Sequence, residues 1–173
     1  MPAEQFLERL MNEYGDTVLR MCYLYLKDYQ LAEDAVQETF VKAMKSYGSF
    51  EHRSSERTWL TRIAINCCKN IMRNRWFRIM QNRLEDHSER SGNDPIDDLL
   101  EKDSVSAAIM KLNVSDRQII LLYYYQELSV REIAAIIGKT ENATVQRLSR
   151  ARGKMKKILS EAGYEENECK RYH

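Results

Sequence analysis

Residues 128–159 read LSVREIAAIIGKTENATVQRLSRARGKMKKIL, and the order of these residues decides the fold. Ser129 precedes a short apolar run, Val130 to Ile137, and Glu132 stands three places after it. That is the spacing of a capping box, in which the two side chains satisfy each other's backbone N–H groups. Gly138-Lys139-Thr140 then interrupts the run with a turn of the length used in a helix-turn-helix. In the helix expected over 141–161, Thr144, Leu148, Ala151, Met155 and Leu159 share an inward face. Gln146, Arg147, Arg150, Lys154 and Lys157 share the outward one. A short capped helix, a tight turn and a long cationic helix form a layout that reads duplex DNA. A helical hairpin with a charged surface is the alternative that this pattern leaves open.

Outward from that stretch the chain is helical nearly throughout. Its 173 residues include 6 Gly and 2 Pro, too few for the many turns of a barrel or sandwich. Helical spacing of apolar residues predicts helices over 4–26, 30–47, 54–76, 104–112, 115–126, 129–137 and 141–161, with Gly15 a break in the first. In 4–26 the apolar positions are Phe6, Leu7, Leu10, Met11, Val18, Leu19, Cys22 and Leu26. The Ser-Gly-Asn-Asp-Pro run at 91–95 lies in an acidic stretch and reads as a linker. The expected organisation is two small helical domains, 1–83 and 104–163, joined by a flexible acidic linker at 84–103 and followed by a tail at 164–173.

The net charge of +1 hides its distribution. Residues 51–83 hold eight cations and two anions, and 117–160 hold nine and three, whereas 84–116 hold three and nine. Two basic blocks flanking an acidic one suit contact with phosphates, though a charge run is often only a solvated face. Four Cys, at 22, 67, 68 and 169, form no C-x-x-C pair, and three scattered His assemble no metal or catalytic constellation. No catalytic residue, metal site or cofactor is expected. Without a membrane-length apolar run or a signal-peptide layout, the expected location is the cytoplasm.

Two further helices carry information. Over 30–47, Ala32, Ala35, Val36, Phe40, Ala43 and Tyr47 form a core face, and Asp34, Gln37, Glu38, Val41 and Lys45 lie opposite. An acidic solvated face would look the same, except that Val41 in its middle hints at a partner surface. Over 54–76, Leu60, Ile63, Ala64, Cys67 and Ile71 face the core, and Arg62, Asn66, Lys69 and Arg73 form a polar stripe flanked by Trp59 and Trp76. Trp59 is expected in the core. The preceding loop, EHRSSER at 51–57, adds His52, Arg53 and Arg57. Basic and aromatic side chains around a loop are what unstacked single strands need.

With these residues in view, the chain resembles the extracytoplasmic-function (ECF) group of sigma-70 RNA polymerase sigma factors, including those of Bacillus type. The likeness runs over about 10–160. It rests on Ala32-Glu33-Asp34-Ala35-Val36-Gln37-Glu38-Thr39-Phe40, on Thr58-Trp59-Leu60-Thr61-Arg62-Ile63-Ala64 with Asn66, and on Leu128-Ser129-Val130-Arg131-Glu132-Ile133-Ala134. Leu148-Ser149-Arg150-Ala151-Arg152 completes the set. The resemblance implies a non-enzymatic subunit that binds RNA polymerase core, through its β′ and β subunits, and starts transcription at chosen promoters, often in a stress response. By the same resemblance Asp34, Gln37, Glu38 and Val41 would dock on the β′ clamp helices. His52, Arg53, Arg57, Arg62, Asn66, Lys69 and Arg73 would read the promoter −10 element, and Gln146, Arg147, Arg150, Lys154 and Lys157 the −35 element. An anti-sigma factor, commonly membrane-linked in the family, is the further implied partner. The sequence departs from the family at Thr144, where a valine is usual, and at Asn70, where an aspartate is common. A helix-turn-helix regulator independent of core polymerase is the rival reading; the 51–76 stretch argues against it, since such a regulator needs no single-strand reader.

Overall fold

In the computed structural model, described for residues 2–51, 53–82 and 104–163, the chain divides into two compact units, Met1–Pro95 and Ile96–His173. The described residues form helices and turns without a strand. The expected linker at 84–103, the tail at 164–173, His52 and Cys169 lie outside the described residues.

The first unit is built from α1 (Ala3–Leu26), α2 (Tyr29–Ser46) and α3 (Glu56–Asn82), each packed against the other two. Lys27 ends α1 in the left-handed region at φ 57°, its N–H donating to the Tyr23 carbonyl. Asp28 then caps α2, its carboxylate accepting from the Leu31 N–H at 3.0 Å. A two-residue corner thus turns the chain back on itself. Helix α1 runs through Gly15 without the expected break. A mid-helix glycine costs about 1 kcal/mol relative to alanine. Burial of Phe6, Leu10 and Val18, with the whole run Met21–Leu26, outweighs that cost. Met11, by contrast, is exposed rather than in the core.

Helix α3 outruns its expected end by six residues, and its core arc differs from the one expected. Thr58, Leu60, Thr61, Ala64, Ile65, Cys67 and Cys68 are buried, while Ile63, Ile71 and Trp59 are half-buried. Both α1 and α2 lean on this helix, so the covered arc is wider than a single 100° stripe and includes Ile65 and Cys68. On α2, likewise, Val36 and Tyr47 are half-buried and Thr39 takes a core place, its hydroxyl donating to the Ala35 carbonyl at 2.6 Å.

The second unit comprises α4 (Ser104–Lys111), α5 (Val114–Ile120), a π-helical turn (Leu121–Tyr125), α6 (Val130–Ile137) and α7 (Glu141–Glu161). Asn113 caps α5, accepting from the Asp116 N–H at 2.9 Å. Seven consecutive residues, Asp116 to Leu122, are buried, so this segment is covered all round and forms the unit's axis. Its helix does not continue to 126 as a regular α-helix: the Gln126 N–H reaches the Leu121 carbonyl at 3.1 Å, the five-residue step of a π turn. Helix α7 packs against α4, α5 and α6.

Candidate nucleic-acid and partner interfaces

The helix-turn-helix forms as its capping chemistry dictates. Ser129 Oγ accepts from the Glu132 N–H at 3.2 Å, and Glu132 Oε2 accepts from the Ser129 N–H at 2.9 Å. Gly138 ends α6 in the left-handed conformation at φ 67°, where a Cβ would be strained. Thr140 caps α7, its hydroxyl accepting from the Ala143 N–H at 3.1 Å. Thr144, Leu148, Ala151, Met155 and Leu159 are all buried, which is the inward face expected. Thr144 is accommodated because its hydroxyl donates to the Thr140 carbonyl at 2.8 Å.

On the outward face Gln146, Arg150, Lys154 and Lys157 are exposed and Arg147 is half-buried. Val145 is exposed as well, so the face is not purely cations and amides. Arg147, Arg150 and Lys154 border a cleft of about 530 Å³ whose other wall is Asn113 to Asp116 at the start of α5. There the Lys154 ammonium donates to the buried carboxylate of Asp116, which also accepts from Asn113 Nδ2 at 2.7 Å. Lys154 is therefore partly neutralised by its own unit. Sequence spacing could not show this contact, because the partners are 38 residues apart. Arg152 is committed elsewhere: its Nε donates to the Tyr124 hydroxyl at 2.8 Å and its guanidinium lies 4.9 Å from the Tyr123 ring centre. Burial raises the Tyr124 phenol pKa above its ordinary value.

In the first unit, the loop before α3 is rooted from two sides. Phe6 stacks on Tyr47 with ring centres 4.2 Å apart, and Phe50 stacks on Trp59 at 4.5 Å. Arg9 holds Glu56 with two hydrogen bonds, of 2.9 and 2.6 Å, and also reaches Glu13. Ser55 Oγ accepts from the Thr58 N–H at 3.1 Å and so caps α3. Trp59 thus belongs to the loop's aromatic root rather than to the central core. Arg53 pairs with Glu51 at 2.5 Å, and Arg57 is half-buried. Along α3, Arg62, Asn66 and Arg73 are exposed and Lys69 is half-buried, its ammonium pKa lowered by that burial. Arg73 Nη2 donates to Asn70 Oδ1 at 3.1 Å, so the departure at Asn70 leaves a hydrogen bond in the stripe. The stripe therefore stands on one side of α3, continuing into exposed Trp76.

On α2, Asp34, Gln37 and Val41 are exposed and Glu38 is half-buried, bound to Lys42 at 2.6 Å. The hydrogen bond to Glu38 raises the Lys42 pKa. Met44, 39% exposed, joins Val41, 44% exposed, and makes this face more apolar than sequence reading gave it. Among the described residues no group of three His, Cys, Asp or Glu could hold a metal ion, and no helix is long and apolar enough to cross a membrane.

The chain matches two family models, Sigma-70 region 2 over residues 10–78 and Sigma-70, region 4 over residues 102–155. The ECF RNA polymerase sigma factor BldN of Streptomyces coelicolor is 31% identical over 140 residues, 78% of this chain and 53% of that protein. The RNA polymerase sigma factor YlaC of Bacillus subtilis is 29% identical over 173 residues, 96% of this chain and 99% of that protein. The chain thus spans about half the length of the Streptomyces relative and nearly all of the Bacillus one. Among solved structures, the sigma factor RpoE in complex with the anti-sigma factor NepR, from Bartonella quintana, is similar with a TM-score of 0.72 at 26% identity, over 91% of this chain and 98% of that one.

Proposed function

The chain belongs to the sigma-70 family as an ECF sigma factor, and from that premise we propose how its two units share the start of transcription at chosen promoters. In this reading the α2 face of Asp34, Gln37, Glu38 and Val41, extended by Met44, docks on the polymerase core. The loop at 52–57 and the stripe Arg62, Asn66, Lys69 and Arg73 take the opened −10 strand. Gln146, Arg147, Arg150, Lys154 and Lys157 approach the −35 duplex, with Arg147 nearest the turn and placed to read a base edge. The chemistry of RNA synthesis stays with the polymerase, and the work is cytoplasmic. An anti-sigma factor, as NepR is for the Bartonella neighbour, restrains the chain until a stress releases it.

The observation that carries this reading is the presence of two cationic surfaces of different design in one chain. A helix-turn-helix regulator needs the capped α6–α7 pair alone. It has no use for a second basic stripe beside a loop braced by Phe50 on Trp59 and by Arg9 on Glu56. The test is to add the purified chain to core polymerase on a promoter-rich template and map transcript 5′ ends. Discrete new starts are expected. Core polymerase that stays non-specific while the chain still binds duplex DNA would favour the regulator reading instead.

A further inference from the structure

The last turns of α3 carry a surface that the −10 reading does not use. Residues 73–82 hold Arg73, Arg75 and Arg78 and no acidic group. Among them Trp76, Phe77, Ile79 and Met80 stand in solvent, 56, 53, 51 and 48% exposed. One exposed apolar side chain is ordinary, but four within five residues form a patch that calls for a ligand. At about 100° per residue, Trp76, Phe77 and Met80 fall within about 60° of Arg62, so they continue the arc of the polar stripe. The Trp76 and Phe77 rings meet edge to face, with centres 5.5 Å apart and 75° between planes, which leaves a face of each ring uncovered by the other.

We propose that this end of α3 is a base-stacking platform, which takes the next bases of the same DNA strand beyond Arg73. Phe77 lies about 6 Å along the helix axis from Arg73 at ~1.5 Å per residue, roughly two base steps of ~3.4 Å. Interleaved arginines and open aromatic faces are the combination that single strands use: cations track the phosphates, and every base has a π face to stack. Charge favours a polyanion over an uncharged apolar partner, because no carboxylate lies on residues 69–82. The inference rests on the stripe's being the −10 contact, and the experiment separates the two.

Core polymerase saturated with the full chain is titrated onto a labelled fork DNA, double-stranded on one side and single-stranded on the other, selected from a random-sequence pool by the parent holoenzyme. Anisotropy is read over a salt series for the parent, for Trp76→Ala with Phe77→Ala, and for Arg73→Ala; circular dichroism checks that helix content is kept. The double variant is expected to bind about tenfold more weakly with the parent's salt slope, since stacking releases no counterions. An abasic nucleotide stepped along the strand should, at one or two positions, make parent and double variant bind alike. Arg73→Ala should weaken binding and flatten the slope by about 0.7 to 0.9. A double variant that binds like the parent while Arg73→Ala binds weakly overturns the platform and leaves the −10 reading standing. If neither variant changes binding, both fall. A double variant that keeps its DNA affinity but loses affinity for core or for a protein inhibitor makes the patch a protein-docking face, which also overturns the proposal.

Discussion

Replacing Asp116 by Asn tests whether the chain restrains one of its own DNA-facing cations. The Asp116 side chain is 8% exposed, and the Lys154 ammonium that it holds belongs to a side chain 53% exposed. Unit charges about 3 Å apart attract by about 5.5 kcal/mol at an effective dielectric of about 20 and by about 1.4 kcal/mol in water. Lys154 stays half in solvent, so screening keeps the net contribution near the lower figure, about 1–2 kcal/mol. Asp116→Asn should lower stability by that amount in urea denaturation. The cap of α5 should persist, because Asn113 Oδ1 accepts from the backbone N–H of residue 116, which the substitution leaves intact. Lys154 then joins Arg147 and Arg150 on the side offered to DNA. One added phosphate contact steepens the salt dependence by about 0.9, which at 0.1 M salt amounts to about eightfold tighter binding. Fluorescence anisotropy of holoenzyme with a −35 duplex and with an unrelated duplex, across a salt series, reads both quantities. Both duplexes should gain alike, since phosphate contacts carry no sequence information. An unchanged slope on both would refute the idea that Asp116 withholds Lys154.

Four other outcomes are expected. Asp34→Lys should weaken core binding several-fold in a pull-down titration, with helix content unchanged. Arg147→Ala should lose discrimination at one or two −35 positions in footprinting, worth about 1–3 kcal/mol per lost bidentate base contact. Gly15→Ala should raise stability by about 1 kcal/mol, because α1 is helical there and a Cβ at Gly15 meets nothing within 4 Å. The alkaline limb should follow the thiols. The Cys22 hydrogen bond and burial push the Cys68 thiol up, and burial pushes Cys67 up, from an ordinary value of 9.0. Groups raised in the folded state lend stability fully below the unfolded pKa, so stability should hold to about pH 8 and fall above pH 9. That fall should shrink in Cys67→Ala and Cys68→Ala.

The parts legible in the sequence are those that local chemistry controls. Ser129 with Glu132, and the inward series Thr144, Leu148, Ala151, Met155 and Leu159, depend on neighbours three or four places away, and periodicity reads such relations directly. The misses have long-range causes. Gly15 is a breaker by propensity, but tertiary burial of Met21–Leu26 overrides it. Ile65 and Cys68 are buried because two helices cover α3, which one stripe on a wheel cannot represent. The Lys154–Asp116 and Arg152–Tyr124 contacts join residues 38 and 28 places apart, so the true charge of the α7 face was hidden until the fold brought them together. The exposed end of α3 was missed for the opposite reason. Its apolar residues look like core until nothing described packs on them.

The π-helical turn at Leu121–Tyr125 makes chain length itself a constraint. Deleting one residue there would restore the α-helical pitch but rotate everything before it against everything after it by about 100°. The buried run Asp116–Leu122 and the rings of Tyr123 and Tyr124 that receive Arg152 could not both keep their neighbours. Most insertions and deletions are absorbed by loops; this one sits inside the axis of its unit and has contacts built upon it. In evolutionary terms it acts as a ratchet: a residue gained at this place becomes hard to lose once Arg152 leans on the turn that it created.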